Sequence, residues 1–467
     1  MYKIISYVII ANLVAFHVQA SASDKDKQLN ELKNLVLELS QQVNHLTKRL
    51  NNIENDKRVN SPQNIIQLKE ITTSDIHNTP VILSDEKTTI TYENNVSHVL
   101  ANPWWKNIEL WGFGAVGAYQ TGSDGTHSNF GFNIKEATLF MEASVWQDLD
   151  MFIELQTNRL GDDSSKYVRT GEVYIHGRNI EIGDGSIGVK LGRIDIPFGE
   201  EYLWQDAIDN PLITNSASYP YGWDEGVLVY GDSTIFSFED NVHWIFSITD
   251  GTDKRSDEDH SDKAFNLKFY GDFNEDHYLS LSLMHNGKAQ KSALEFGGSH
   301  FEPIGKGDAD ALTKSDSTFI NATLAEINTK HQFHLDDFSG YLALTYGRAE
   351  QEDDISQHSR TIEWLTIEPY IQLSPNWYSL LRYSEIGTYD NHNGFHFDGK
   401  IFAGGNGDYG YDVKRFQRLG LGIGWQPNPR VRAKFEIGKD WFERIKNTNK
   451  ESQDKRNFLG VEVAVGF

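Results

Sequence analysis

The sequence has no cysteine among its 467 residues. That excludes disulfide frameworks, thiolate metal sites and cysteine nucleophiles. Basic residues are scarce: 43 Lys and Arg stand against 67 Asp and Glu, a formal net charge of −24. Such a surface repels phosphate backbones, so no nucleic-acid partner is expected. After the N-terminal stretch there is no run of about 18 apolar residues, so no spanning helix is expected there. Mean hydropathy is −0.51. That value leaves a membrane barrel open, because in a barrel only alternate strand residues face lipid. Catalytic and metal motifs are missing too. There is no His-Glu-x-x-His, no Gly-x-Ser-x-Gly elbow and no phosphate-binding glycine loop at a strand-to-helix junction. The 16 histidines sit mostly singly in loops or near strand ends, and His331 and His334 read as solvated groups near a turn. No catalytic residue, metal or cofactor is therefore expected.

What is present is alternation. Val461, Val463, Val465 and Phe467 alternate with Glu462, Ala464 and Gly466. Period two marks a strand with two unlike faces. Similar runs recur at about 107–120, 130–146, 150–160, 168–180, 186–195, 223–236, 241–250 and 263–273, then at 277–287, 317–331, 338–349, 361–373, 377–389, 413–426, 430–443 and 457–467. That is sixteen strands, an even number, as bacterial barrels require. Every second connection is short, as at Gln147–Leu149, Asn274–Asp276, Leu335–Asp337, Ser374–Asn376 and Pro427–Pro429. Those between are longer, polar and often acidic, such as Asp253–Asp262, Glu350–Arg360 and Lys446–Lys455. Short turns at one rim and long loops at the other match the periplasmic and extracellular ends of an outer-membrane barrel. The fold class read here is all-β: a 16-stranded antiparallel transmembrane β-barrel preceded by a short coiled-coil helix.

Residues 1–22 read as a secretory signal, with Lys3, the apolar stretch Ile4–Val18 and the small-x-small site Ala20-Ser21-Ala22. Residues 23–55 hold a coiled coil, with Leu29, Leu32, Val36, Leu39, Val43, Leu46, Leu50 and Ile53 alternately three and four apart. The Val/Leu mixture leaves dimer and trimer open. Residues 56–103 are a linker rich in Asn, Ser and Thr, and the barrel runs over 104–467.

Faces can be assigned on several strands. Ala137, Leu139, Met141, Ala143 and Val145 oppose Glu136, Thr138, Glu142 and Ser144. Leu419, Leu421, Ile423 and Trp425 oppose Arg418, Gly420 and Gly422. The charged side belongs in the lumen, since Arg or Lys facing lipid at the midplane costs about 2–4 kcal/mol. Trp146, Trp377, Trp425 and Phe467 fall at short-turn ends, as an interfacial aromatic girdle would.

The third long connection, about 195–222, carries Tyr202, Trp204, Tyr219 and Tyr221. So many aromatics need something to pack against. The lumen of a barrel this size is not filled by wall side chains alone. The loop is expected to fold inward as a constriction formed by Asp195, Pro197, Phe198, Gly199, Glu200, Glu201, Trp204, Asp206 and Asp209. An extracellular cap or an inter-subunit contact are its other readings. Basic residues expected to line the pore are Arg382, Lys414, Arg418, Arg432 and Lys434. The acidic ones are Glu136, Glu142, Glu154 and Glu172. An acidic loop facing a basic wall would set up a transverse field.

The segment Gly192-Arg193-Ile194-Asp195-Ile196-Pro197-Phe198-Gly199-Glu200-Glu201 resembles a strand-then-Pro-Phe-Gly-x-Glu segment of the phosphate-selective porin O/P family. The leading heptads resemble those of trimeric porins with an N-terminal coiled coil. The resemblance covers roughly 104–467. It implies a trimeric outer-membrane porin of a Gram-negative bacterium, its third loop inward and its coiled coil in the periplasm. It also implies that Phe467 is part of the assembly signal. The partners implied are outer-membrane lipid and lipopolysaccharide, further copies of the chain, and small hydrophilic solutes. Phosphate selectivity is not carried over, because residues 194–253 contain no Lys or Arg. Two other classes stand beside the porin: a non-conducting anchor acting through the coiled coil, and a barrel enzyme.

Overall fold

The computed structural model describes residues 107–467 except 122–128, 158–167, 183–184, 233–241, 253–261, 275, 290, 297–298, 301–319, 336–337, 354–358, 389–394, 398–410 and 445–454. The signal, coiled-coil and linker segments lie outside the described residues.

Among the described residues nineteen strands follow in chain order. The first nine are β1 (Ile108–Gln120), β2 (Gly131–Trp146), β3 (Leu149–Thr157), β4 (Val168–Ile182), β5 (Gly185–Asp195), β6 (Trp223–Asp232), β7 (Val242–Thr249), β8 (Ala264–Asn274) and β9 (His277–Ala289). A small hairpin, β10 (Glu295–Phe296) and β11 (Ser299–His300), comes next. Then come β12 (Ile320–Leu335), β13 (Phe338–Asp353), β14 (Ser359–Ser374), β15 (Trp377–Thr388), the short β16 (Phe395–Phe397), β17 (Tyr411–Asn428), β18 (Val431–Arg444) and β19 (Lys455–Gly466). Leaving out β10, β11 and β16, sixteen antiparallel staves pair in sequence and β19 returns to β1, closing the barrel. Each of the sixteen alternating runs holds one stave. The seam pairs Phe113 with Gly466 through Gln120 with Leu459. The Phe467 and Gly112 backbones exchange hydrogen bonds of 2.9 and 3.3 Å. Closure leaves no sheet edge unpaired, the condition for a sheet to stand in hydrocarbon.

Alternation fixes the two faces. Val461, Val463 and Val465 are 39–48% exposed on the outside, while Glu462 and Ala464 between them are fully buried. Leu421, Ile423, Phe435 and Ile437 are likewise exposed outward. Trp146, Trp377, Trp425 and Phe467 are exposed at the short-turn rim, and Trp377 lies opposite Trp425. On β13 to β18 the outer face turns polar towards the long-loop rim. Arg348 meets Glu363 at 3.3 Å, and Arg415 meets Glu385 at 3.2 Å. On β2 it stays apolar up to Ile134 and the 92% exposed Phe132. There an outward groove of about 580 Å³ is lined by Val116, Ala118, Phe132, Ile134, Val461 and Val463 among others.

One irregularity matters to the lumen. Ala115 pairs with Glu136 while Val116 pairs with Ile134, so Lys135 is an extra residue in β2. A bulge re-aims side chains. Lys135 is buried and reaches the carbonyl of Ile213 at 2.8 Å. The main buried apolar cluster includes Ile196, Phe198, Ile213, Ala217, Leu294, Phe296, Leu324, Ile362 and Trp364. Loop residues thus pack against inner-wall residues, and the protein's apolar core lies inside the barrel.

Candidate functional site

Two glycines at the end of β5 have no freedom to be anything else: Gly192 inside the strand, paired with Tyr174 and Gly226, and Gly199 just past it. Gly192 has φ +141 and Gly199 has φ +75. A Cβ on Gly192 would stand 2.3 Å from the Val173 carbonyl oxygen, and one on Gly199 would stand 2.5 Å from Glu326 Oε1. Both positions require a backbone that L side chains rarely adopt. Gly199 lets the chain, which leaves the wall after Asp195, turn across the barrel. Phe198 is fully buried, with its ring 6.1 Å from Phe296 and 6.3 Å from Trp364. Pro197 is buried beside it. The hairpin after β9 reinforces this point: Glu295 and Tyr221 exchange backbone hydrogen bonds of 2.7 and 3.1 Å.

From Gly199 onward the loop is tied to side chains that point into the barrel. Gly199 donates to Ser282 Oγ at 3.1 Å and accepts from Lys268 at 2.6 Å. Glu200 is ion-paired to Lys268 at 2.9 Å and accepts from the Tyr278 hydroxyl at 2.8 Å. Glu201 is buried and accepts from the backbone and hydroxyl of Ser216. Burial raises the Glu201 pKa, against the opposing effects of Arg382 and the Ser216 bonds. Trp204 lies under the Arg382 guanidinium, 4.8 Å away.

The far side of the loop, 207–217, is held by β2, β15, β17 and β18. Lys434 donates to the carbonyls of Ala207, Asn210 and Leu212 at 2.8–3.2 Å. Arg382 donates to the Thr214 carbonyl at 2.8 Å, Arg418 to that of Asn215 at 3.1 Å, and Arg432 to that of Asp209. Glu436 accepts from the Ile213 and Thr214 N–H groups at 2.6 and 2.9 Å, and from the Thr214 hydroxyl at 2.6 Å. Glu136 accepts from the Ala207 N–H at 2.6 Å. Ser384 accepts from the Ala217 N–H at 2.8 Å.

This arrangement differs from a basic wall facing an acidic loop across water. Arg382, Arg418 and Lys434 are at most 3% exposed. They are ion-paired to Glu368, Asp440 and Glu462 respectively, Arg418 through two bonds of 2.9 and 3.0 Å. A buried cation needs both a counter-charge and hydrogen-bond acceptors. The loop carbonyls supply the acceptors. Lys414 is half-buried on β17, and none of its described contacts is with the loop.

The acidic residues separate. Glu142 sits near Arg178, 4.0 Å away, towards the short-turn rim. Glu154, Glu172 and Asp195 come together. The Glu172 N–H donates to Glu154 at 2.9 Å, and the Asp195 N–H donates to Glu172 at 3.0 Å. Burial, followed by the charges of Glu136, Asp209 and Glu154, pushes Asp206 well above the usual carboxylate range. Asp209 is exposed.

Sequence reasoning missed Lys135, Lys268, Glu436 and the 295–300 hairpin. Lys268 and Glu436 carried a signal, being charges at lumen-facing positions of alternating strands. Lys135 carried none, because only the bulge turns it inward.

No family model matches the chain, and no curated protein matches it. Solved structures do. OmpT, an outer membrane protein of Vibrio cholerae, matches with TM-score 0.50 at 11% identity, over 77% of this chain and 97% of that one. The anion-selective porin from Comamonas acidovorans matches with TM-score 0.49 at 10% identity, over 77% and 99%. The outer membrane channel DcaP of Acinetobacter baumannii matches with TM-score 0.47 at 13% identity, over 77% and 97%. At these identities the likeness is one of fold.

Proposed function

We propose that the chain is an outer-membrane porin. Small hydrophilic solutes diffuse passively through its lumen, narrowed by the loop 195–222. The observation that carries this reading is a closed barrel, apolar outside, whose interior charges bind a loop instead of filling the lumen themselves. Side chains alone leave an aqueous channel in a sixteen-stranded barrel. A loop held to several staves narrows such a channel without relying on its own stability.

Self-association belongs to the same reading. The apolar groove by Phe132 and Val461 lies on the outer wall at the seam, where a second copy would cover it. The heptads of 28–54 would supply another contact, in the periplasm, and a weak coiled coil suffices when two contacts act together. The resemblance favours a trimer. Phosphate is not the solute proposed, since residues 194–253 contain no Lys or Arg.

The test is single-channel recording of the folded full chain in planar bilayers. Discrete conductance steps are expected, in threes for a trimer. Folded, heat-modifiable protein that never conducts would overturn the channel reading and favour a membrane anchor.

A further inference from the structure

Two kinds of carboxylate face the lumen. Glu368 on β14, Asp440 on β18 and Glu462 on β19 each hold an Arg or Lys, as Asp150 on β3 holds Arg178 at 2.7 Å. Glu154 on β3, Glu172 on β4 and Asp195 at the end of β5 do not. Glu154, Glu172 and Asp195 form a row held by backbone N–H groups, with Gln156 adding a 2.6 Å bond to Glu154. An amide N–H polarises towards a carboxylate but does not cancel its charge. Among the described residues, none of these three, nor Asp206, makes an ion pair. Asp195 Oδ1 is moreover buried without a hydrogen-bond partner. A buried anionic oxygen left in that state is costly. A passing cation relieves it, and an anion aggravates it.

Cations on this side are outnumbered. Lys190 lies over the Tyr174 ring at 4.3 Å, and Arg169 is held by Gln156 at 3.0 Å. Across the lumen Arg382, Arg418 and Lys434 are already paired and covered by the loop. The field left for a solute on the acidic side is therefore mainly negative.

We propose that Glu154, Glu172, Asp195 and Asp206 make the passage cation-selecting, so that its favoured solutes are small inorganic cations and organic amines. This rests on the channel reading above. A low-dielectric cleft lined by one sign of charge concentrates counter-ions, typically tenfold or more.

The experiment is reversal-potential measurement under a KCl gradient, at mildly alkaline pH, on the full chain in planar bilayers. The expected cation-to-anion permeability ratio is on the order of ten. Asp195→Asn with Glu172→Gln should lower it by roughly threefold or more. Asp206→Asn, in the loop and outside the wall, should lower it in the same direction and guards against a misfolded double variant. A conducting wild type with no cation preference, or with anion preference, overturns the proposal and leaves the channel reading standing. So does an unchanged ratio in both variants. Absence of conductance refutes the channel reading itself.

Discussion

Glu436→Gln should loosen the loop without emptying the barrel of its fold. Glu436 is fully buried and accepts three hydrogen bonds from Ile213 and Thr214. Hydrogen bonds to a charged group contribute about 1.5–3 kcal/mol each. Glutamine keeps the size and, with its oxygen in the place of Oε2, still accepts from both N–H groups, while its amide nitrogen faces the Thr214 hydroxyl, which can turn to accept. Three charge-assisted bonds become neutral ones, each weaker by about 1 kcal/mol. Segment 207–217 should then detach more readily by about 3 kcal/mol, a shift of roughly 10² in the docking equilibrium. Lys434, Arg382 and Arg418 continue to hold neighbouring carbonyls, so the loosening is local. Two assays read it. Amide hydrogen exchange should quicken across 207–217 and stay unchanged in β6 to β8. Single channels should become noisier, with added higher-conductance excursions. Because the chain has no cysteine, Ala217→Cys with Ser384→Cys introduces one thiol pair with no competing thiol, at neighbouring positions where the Ala217 N–H lies 2.8 Å from Ser384 Oγ. Oxidation of that pair in the Glu436→Gln background should restore quiet channels. Unaltered exchange and unaltered noise in Glu436→Gln would refute the view that wall charges hold the loop.

Asp206 predicts a pH effect of definite sign. Its pKa is raised in the docked loop by burial and by Glu136, Asp209 and Glu154, against the opposing charge of Lys135. The docked state therefore binds the proton more tightly than the released one. Docking is strongest below the ordinary carboxylate pKa and weakens as pH rises through the raised value. Acidification should thus quieten the channel and lower its cation preference together, and Asp206→Asn should remove part of both effects. Gly199→Ala should cost about 1–3 kcal/mol, because it puts a Cβ at positive φ against Glu326. The loss should appear as a lower heat-modifiability transition, with Gly131→Ala as the neutral control. Phe132→Asn on the outer groove should weaken self-association on native gels while leaving single-channel conductance unchanged, which separates assembly from permeation.

Much of the fold could be read from the chain because lipid outside and water inside impose a strict period of two. Val461-Glu462-Val463-Ala464-Val465 admits one assignment of faces, and the structure has it. Boundaries were less legible where polarity blurs the period. The run expected at 317–331 is the strand Ile320–Leu335, which continues past the polar Gln332 and His334. Loop 195–222 announced itself through its aromatics. What its partners do was hidden. Arg382, Arg418 and Lys434 could be placed on the inner face, but that they bind carbonyls depends on how a loop distant in sequence lies against them. The partner acids Asp440 and Glu462 sat on the same inward period and were the missing half of the pattern.

The outer wall carries a further consequence. From Trp377 to Glu385, two outward residues eight positions apart on β15, the rise along the barrel axis is about 20 Å at a typical strand tilt. On β2, the apolar face from Trp146 to Phe132 rises about 30 Å by the same reckoning. A single barrel thus asks the surrounding bilayer to be thin on one flank and thick on the other. Bending lipid to follow that slope costs a fraction of a kcal/mol for each ångström of mismatch. Covering the tall flank with protein removes the demand. Lipid chain length then acts as a control on assembly: short-chain bilayers should gather the barrels together, and long-chain ones should let them part.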